Sequence, residues 1–233
     1  MPVTGRRSKW SMSGMSRTIN SGTQPAAYDI YLVGVGGQGV LSIGEIITEA
    51  AYLREIPVNY YPTKGMAQRG GFVKAQLRLG RASVGPAIPE KGADLVIATE
   101  VSESLKAIRF IKPGGDFILF GYVWQPTAVM LGKAAYPQLE QVLDTARQAI
   151  GDGGHVHYIA PESLPLYEDA PVPDNVFTLA VALSQTRLGK LIPAEDAEQV
   201  LRRRWKRGLE RNLYAFRAGL EFGGAAVRRA QTH

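Results

Sequence analysis

Three glycines, Gly34, Gly36 and Gly39, fit the spacing G-x-G-x-x-G within Gly34-Val35-Gly36-Gly37-Gln38-Gly39. A turn without side chains lets backbone N–H groups and the start of a following helix approach an anion. A second glycine-rich stretch, Lys64-Gly65-Met66-Ala67-Gln68-Arg69-Gly70-Gly71, adds an ammonium, an amide and a guanidinium. A pyrophosphate is best held by N–H groups at a helix N-terminus with a fixed guanidinium beside them. Gly36 to Val40 supply the first, and Arg69, or Lys64 as a point charge, the second. Gln38 and Gln68 have the groups to hydrogen-bond a carbonyl or amide. The candidate cofactor-binding set is thus Gly34, Gly36, Gly37, Gln38, Gly39, Lys64, Gln68, Arg69 and Gly70. Each residue also has a purely structural reading. The glycines would serve a tight turn and close strand–helix packing, Gln38 would brace that turn, and Arg69 would pair with Glu100 or a backbone carbonyl. No catalytic residue is assigned.

The remaining chemistry is sparse. There are no cysteines, so this chain forms no disulfide and can hold neither an iron–sulfur cluster nor a thiolate metal site. Of three histidines, His155 and His157 share one face of an expected strand, where side chains repeat every two residues. They would make half a metal site, but His233 ends the chain and no partner carboxylate is evident. They are read as packing or facing solvent, and no metal site is assigned. Glu100 closes an apolar run, where it would cap a helix, form an ion pair or do chemistry.

These groups need elements to position them. Ile30 to Val33 is short, β-branched and bounded by glycine, which reads as a buried strand. Val40 to Leu53 has apolar residues recurring at three and four, which reads as a helix. A second strand spans Val58 to Thr63. A dinucleotide site would want a carboxylate where that strand ends, for the ribose hydroxyls. Thr63-Lys64-Gly65 stands there instead, which argues against NAD and NADP. Phe72 to Leu79 reads as a strand with one wet face. Gly80-Arg81-Ala82-Ser83 is expected to turn into a short partner strand near Val84. Ala93 to Thr99 and Asp116 to Phe120 are further buried strands, and Ser102 to Phe110 is a helix that Ser102 would cap. Trp124 to Ala135 reads as a strand or a lid. Tyr136 to Ile150 fits a helix, His155 to Ala160 a strand, and Asp174-Asn175 the start of a helix to Arg187. One long helix is expected over Ala194 to Phe222, with the stripe Leu201, Trp205, Leu209, Leu213, Phe216 and Leu220 as core or subunit seam.

The expected fold class is therefore α/β. It has a Rossmann-like, mostly parallel sheet with helices on both faces, an inserted β-hairpin and a long C-terminal helix. The expected divisions are a basic N-terminal tail over 1–27, disordered in isolation; a Rossmann-like domain over 28–190; a C-terminal docking helix over 191–223; and a tail over 224–233.

Charge is uneven along the chain. Residues 1–27 carry four basic and no acidic side chains, residues 28–186 are net −4, and residues 187–233 are net +6. The basic groups lie in the tail and on the polar side of the last helix, without interleaved aromatics. They are read as a solvated tail and a docking helix, not a nucleic-acid surface. No apolar run approaches 18 residues, so no transmembrane helix is expected. No apolar stretch follows the early basic residues, so no secretory signal is expected. The expected compartment is the cytoplasm.

The glycine turn, the Lys64 to Gly71 loop and the strand ending Arg78-Leu79-Gly80 resemble the gamma domain of 2-oxoacid:ferredoxin oxidoreductases. Ile88-Pro89 before Ala93-Asp94-Leu95, Glu100 after that strand, and Lys112-Pro113-Gly114-Gly115 agree. Asn212-Leu213 and Ala215-Phe216-x-x-Gly219 resemble the end of the indolepyruvate oxidoreductase beta subunit, which is this gamma domain as a separate chain. The resemblance covers about 28–222. It implies a hetero-oligomer that decarboxylates a 2-oxoacid on thiamine diphosphate and magnesium. Electrons would pass through iron–sulfur clusters to ferredoxin or another acceptor, and the acyl group to coenzyme A. Thiamine and clusters would sit on large catalytic partner subunits. This chain would cover the active site, dock the catalytic subunit and contribute to binding coenzyme A. An aryl 2-oxoacid of the indolepyruvate, phenylpyruvate or phenylglyoxylate type is expected, and the isolated chain should be inactive. The alternative is a stand-alone Rossmann-type nucleotide-binding oxidoreductase.

Overall fold

The computed structural model describes residues 26–64 and 71–230. Gln68, Arg69, Gly70 and nearly all of the N-terminal tail lie outside the described residues.

The sheet has six strands: β1 (Tyr28–Val35), β2 (Val58–Lys64), β3 (Phe72–Leu79), β4 (Ala93–Ala98), β5 (Ile111–Phe120) and β6 (Val156–Ile159), in the order β2-β3-β1-β4-β5-β6. Strands β1, β4, β5 and β6 are parallel neighbours, and β3 runs against both β1 and β2. A strand covered on both faces must be apolar throughout. Every residue of β1 is buried, as is every residue of β4. β2 is an edge strand, which is where Pro62 can sit without costing the ladder a central hydrogen bond.

One face is covered by α2 (Val101–Ile108) and α4 (Leu139–Ile150), which pack on Val33, Val96, Ala98, Phe117 and Leu119. The other is covered by α1 (Val40–Leu53), α5 (Asp174–Gln185), α7 (Ala194–Arg204) and α8 (Leu209–Ala230), over Ile30, Leu32, Leu95, Ile97, Ile118 and Phe120. The short helices α3 (Thr127–Met130) and α6 (Leu188–Leu191) connect larger elements. A small ribbon pairs β7 (Leu166–Tyr167) with β8 (Ala170–Pro171).

The α/β reading and the helices on both faces hold. Five local expectations change. The antiparallel insertion is present, but β3 pairs with β1 and β2, and no strand forms at Val84. The segment 81–92 instead lies across β3. Ile88 N–H donates to Gln76 Oε1 at 2.6 Å, and Arg78 donates to the carbonyls of Gly85 and Ala87. This strap covers the face of β3 expected to be wet. The expected helix over 194–222 breaks between Arg204 and Leu209, where Gly208 takes a left-handed φ of 69°. The last helix then runs past Phe222 to Ala230. Residues 124–135 form no strand; they hold the turn of α3. Finally, α2 is capped by Glu100 and not by Ser102.

The C-terminal stripe is core. Leu213 and Phe216 are buried against α5. Gly219 allows the close approach, since a Cβ there would lie 2.5 Å from the carbonyl oxygen of Phe177. Asn212 Nδ2 donates to Gly208 O at 2.8 Å and secures the first turn of α8. Arg204 reaches from α7 to Glu45 and Glu49, one turn apart on α1, at 2.5 Å each.

Candidate functional site at the carboxyl edge

The parallel strands β1, β4 and β5 end on one rim, and the loops that follow them meet there. That is where ligands lie in open α/β sheets. After β1 the chain turns through 36–39 into α1. After β4 it passes Thr99 and Glu100 into α2. After β5 it leaves as an arm, 121–136. Gly71 arrives from the second glycine-rich stretch, and Gly36 N–H donates to Gly71 O at 2.8 Å. Gly71 thus stands beside the first glycine turn, while residues 65–70 lie outside the described residues.

The glycines at this turn have distinct jobs. A Cβ on Gly34 would lie 2.0 Å from Thr99 Oγ1, so β1 and β4 could not hold their spacing there. Gly39 is the N-cap of α1 with φ 67°, and a Cβ would strike the Asn175 side chain at 2.3 Å. Gly37 has φ 104°, and no atom of the described residues lies within 4 Å of where its Cβ would be. Gln38 is committed internally at both ends of its amide. Its Oε1 accepts from Val35 N–H at 3.1 Å and Thr99 Oγ1 at 2.8 Å, and its Nε2 donates to Thr99 O at 2.9 Å. The bracing role therefore describes Gln38, and the N–H groups of Gly36 and Gln38 donate to Gly71 O and Val35 O.

Glu100 is fully buried with its carboxylate surrounded by donors. Oε2 accepts from Ser102 Oγ at 2.8 Å and Glu103 N–H at 2.7 Å. Oε1 accepts from Trp124 N–H at 3.1 Å and from the Tyr136 hydroxyl. A buried carboxylate is tolerated when so satisfied. Burial and the bond to Glu100 push the Tyr136 hydroxyl pKa up, so the phenol stays a donor. Glu100 thus caps α2 and ties down both ends of the arm.

The arm and the turn enclose a cleft of about 320 Å³ lined by Val35, Gly36, Gly37, Gln38, Tyr122, Trp124 and Asp174. Asp174 begins α5, and its Oδ1 accepts from Asn175 N–H at 2.8 Å. Burial raises its pKa, with that N–H acting in the opposite sense. A carboxylate at this mouth works against an anion unless it is protonated. The arm also shows apolar side chains to solvent: Val123 is 50% exposed, Trp124 42%, Met130 65% and Leu131 62%.

Gly34, Gly36, Gly37, Gln38 and Gly39 are thus brought together at the rim. The backbone of Lys64 ends β2, two strands away from β1. Asp174, Tyr122 and Trp124 were missed as site residues. Asp174 was legible only as a helix start, and the aromatic pair stood in an arm with no periodicity. Sequence reasoning also found no carboxylate for the histidine pair. The structure supplies Asp116, because β5 and β6 pair with Phe117 opposite Val156 and set Asp116 beside His155.

Residues 29–222 match the family model of pyruvate ferredoxin/flavodoxin oxidoreductase. The indolepyruvate oxidoreductase subunit IorB of Methanothermobacter thermautotrophicus is 34% identical over 200 residues, covering 85% of this chain and 98% of that one. The pyruvate oxidoreductase subunit PORC of Thermotoga maritima superposes with a TM-score of 0.58 at 19% identity, over 84% of this chain and 96% of that one. The gamma subunit of a keto/oxoacid ferredoxin oxidoreductase from Geobacter sulfurreducens gives 0.56 at 21% identity, over 84% and 95%. At those identities the two structures speak for the fold alone.

Proposed function

The chain belongs to the pyruvate ferredoxin/flavodoxin oxidoreductase family, and we propose that its rim covers the active site of a thiamine- and cluster-bearing catalytic subunit. It is a gamma-type subunit of a 2-oxoacid oxidoreductase. The proposed complex oxidatively decarboxylates an aryl 2-oxoacid to its acyl-CoA in the cytoplasm and passes electrons to ferredoxin or another acceptor. With no cysteine, this chain leaves the clusters to its partner. Thiamine diphosphate and magnesium are likewise placed on the partner.

One observation carries this reading. The Gly36–Gly71 contact and the Glu100-clamped arm together make a pre-formed rim whose exposed side chains at Val123, Trp124, Met130 and Leu131 are apolar. Such a surface suits burial against another protein better than contact with water. The stand-alone nucleotide-binding alternative meets a topological obstacle. In a Rossmann site β2 lies next to β1 and its end carries the ribose carboxylate. Here β3 separates them, and β2 ends at Lys64.

For coenzyme A, the contact is placed on Gly37 and on Lys64, Gln68, Arg69 and Gly70. Gln38 and Gly36 N–H are spent within the chain, and Asp174 disfavours a phosphate in the cleft itself. The test is co-purification with the large subunit, followed by assay with indolepyruvate, phenylpyruvate and phenylglyoxylate. The expected result is a brown complex that turns over an aryl 2-oxoacid with coenzyme A, and an isolated chain that does not. Turnover by the isolated chain would overturn the reading.

A further inference from the structure

At the opposite, amino edge of the sheet lies a second group of side chains that this function does not use. Asp116 opens the regular part of β5, and His155 and His157 flank the first residue of β6. The parallel pairing sets Phe117 opposite Val156 and Ile118 opposite His157, so Asp116, His155 and His157 point to one face of the sheet. One ligand atom from each, a carboxylate oxygen and two imidazole nitrogens, lies within 4.8 Å of the others.

This cluster is poorly satisfied by the protein alone. Asp116 is 7% exposed, and among the described residues the basic group nearest its carboxylate is His155 Nδ1, at 3.6 Å. That is too long for a hydrogen bond. His157 Nε2 is buried with no hydrogen-bond partner among the described residues. Buried polar atoms left in that state are costly and call for a missing partner. An imidazole nitrogen without a partner, set beside a carboxylate, is suited to be a metal donor.

We propose that Asp116, His155 and His157 bind a divalent transition-metal ion, zinc being the natural occupant of a two-imidazole, one-carboxylate set. Tetrahedral zinc with bonds of about 2.0–2.1 Å needs ligand atoms roughly 3.3–3.4 Å apart. The His155 side chain is 73% exposed and is free to turn inward and close the gap. Its loop neighbours Gly153 and Gly154 add little bulk. The fourth position opens into a cleft of about 430 Å³ that also holds Ser184, Thr186, Arg187 and Lys190. Arg187 is paired with Asp94 at 3.2 Å, and Lys190 is a second cation in the lining that would favour an anionic or solvent fourth ligand. The site is independent of the subunit assignment, since it lies away from the carboxyl rim.

The test uses the full, untagged chain after chelator treatment, because His233 is the other histidine in the sequence. Calorimetric titration with zinc should show one site in the micromolar range or tighter. Cobalt substitution should give visible d–d absorption of a nitrogen- and oxygen-ligated ion. His155→Ala, on an exposed side chain that the fold does not need, should weaken binding about tenfold or more, and Asp116→Asn likewise. His233→Ala should leave the affinity unchanged. No uptake by the wild-type chain, or equal affinity in His155→Ala and Asp116→Asn, would overturn the proposal.

Discussion

Tyr136 donates its hydroxyl to the fully buried carboxylate of Glu100. The bond joins the end of β4 to the far end of the arm that leaves β5, while Trp124 N–H binds the same carboxylate oxygen at the near end. One side chain therefore decides whether the arm stands over the rim. Tyr136→Phe should cost about 1.5–3 kcal/mol, the worth of a hydrogen bond to a charged group. Glu100→Ala should cost about 2–4 kcal/mol, because it strands several donors and removes the cap of α2. Denaturant titration measures both. Hydrogen exchange should locate the loosening at 122–136 and the first turn of α2. An arm that stays protected in Glu100→Ala would refute the clamp.

The glycines of the first turn should separate by substitution. Gly37→Ala meets no atom of the described residues and has its φ of 104° to overcome, a cost of about 1 kcal/mol. Gly39→Ala adds a clash with Asn175 to a left-handed φ, and Gly34→Ala drives a methyl into Thr99, so each should cost about 2 kcal/mol or more. Thermal unfolding should rank Gly37→Ala mildest. If all three were alike, the glycines would be serving a shared purpose not visible in the packing.

Local pattern carried much of this far. The short β-branched run of β1, its bounding glycines and the three-and-four spacing of α1 all lie within one stretch of sequence, so the strand, turn and helix could be read directly. The stripe from Leu201 to Leu220 was equally clear, yet it spans a break at Gly208, because a single left-handed residue redirects a helix without disturbing the spacing of its apolar residues. What the sequence could not show depended on pairing across distance. The β3 strand looked half wet because its cover, the Gly85 to Ile88 strap, is irregular. Asp116 and His155 are 39 positions apart and become neighbours only once β5 and β6 pair. Asp174 joins the cleft because α5 packs its N-terminus beside Gly39, a contact no motif encodes.

Asp174 makes stability depend on pH. Burial raises its folded pKa above the unfolded value. The folded chain then holds the proton more tightly, and stability falls as pH rises from the unfolded pKa through the folded one. At neutral pH the ionised carboxylate is a net cost. Asp174→Asn keeps an oxygen for Asn175 N–H and removes the charge. Melting at pH 7 should rise in this variant, and the gain should vanish near pH 3, where both states of the wild type are protonated. A lower melting temperature at pH 7 would mean that the charge favours α5 more than burial opposes it.

The exposed arm separates folding from assembly. Trp124 and Met130 contribute little to the core, so Trp124→Ala and Met130→Asp should change the stability of the isolated chain by no more than about 0.5 kcal/mol. If the rim docks the catalytic subunit, the same changes remove apolar area from an interface, where buried aromatic anchors carry much of the binding. Co-purification yield should fall, and the affinity of the mixed subunits should drop about tenfold or more for the pair. A matched change elsewhere, Leu166→Asp on the small β7–β8 ribbon, removes a side chain 58% exposed and should leave assembly intact. Loss of assembly in the ribbon variant but not in the arm variants would move the docking surface away from the carboxyl rim and leave the cleft open to solvent.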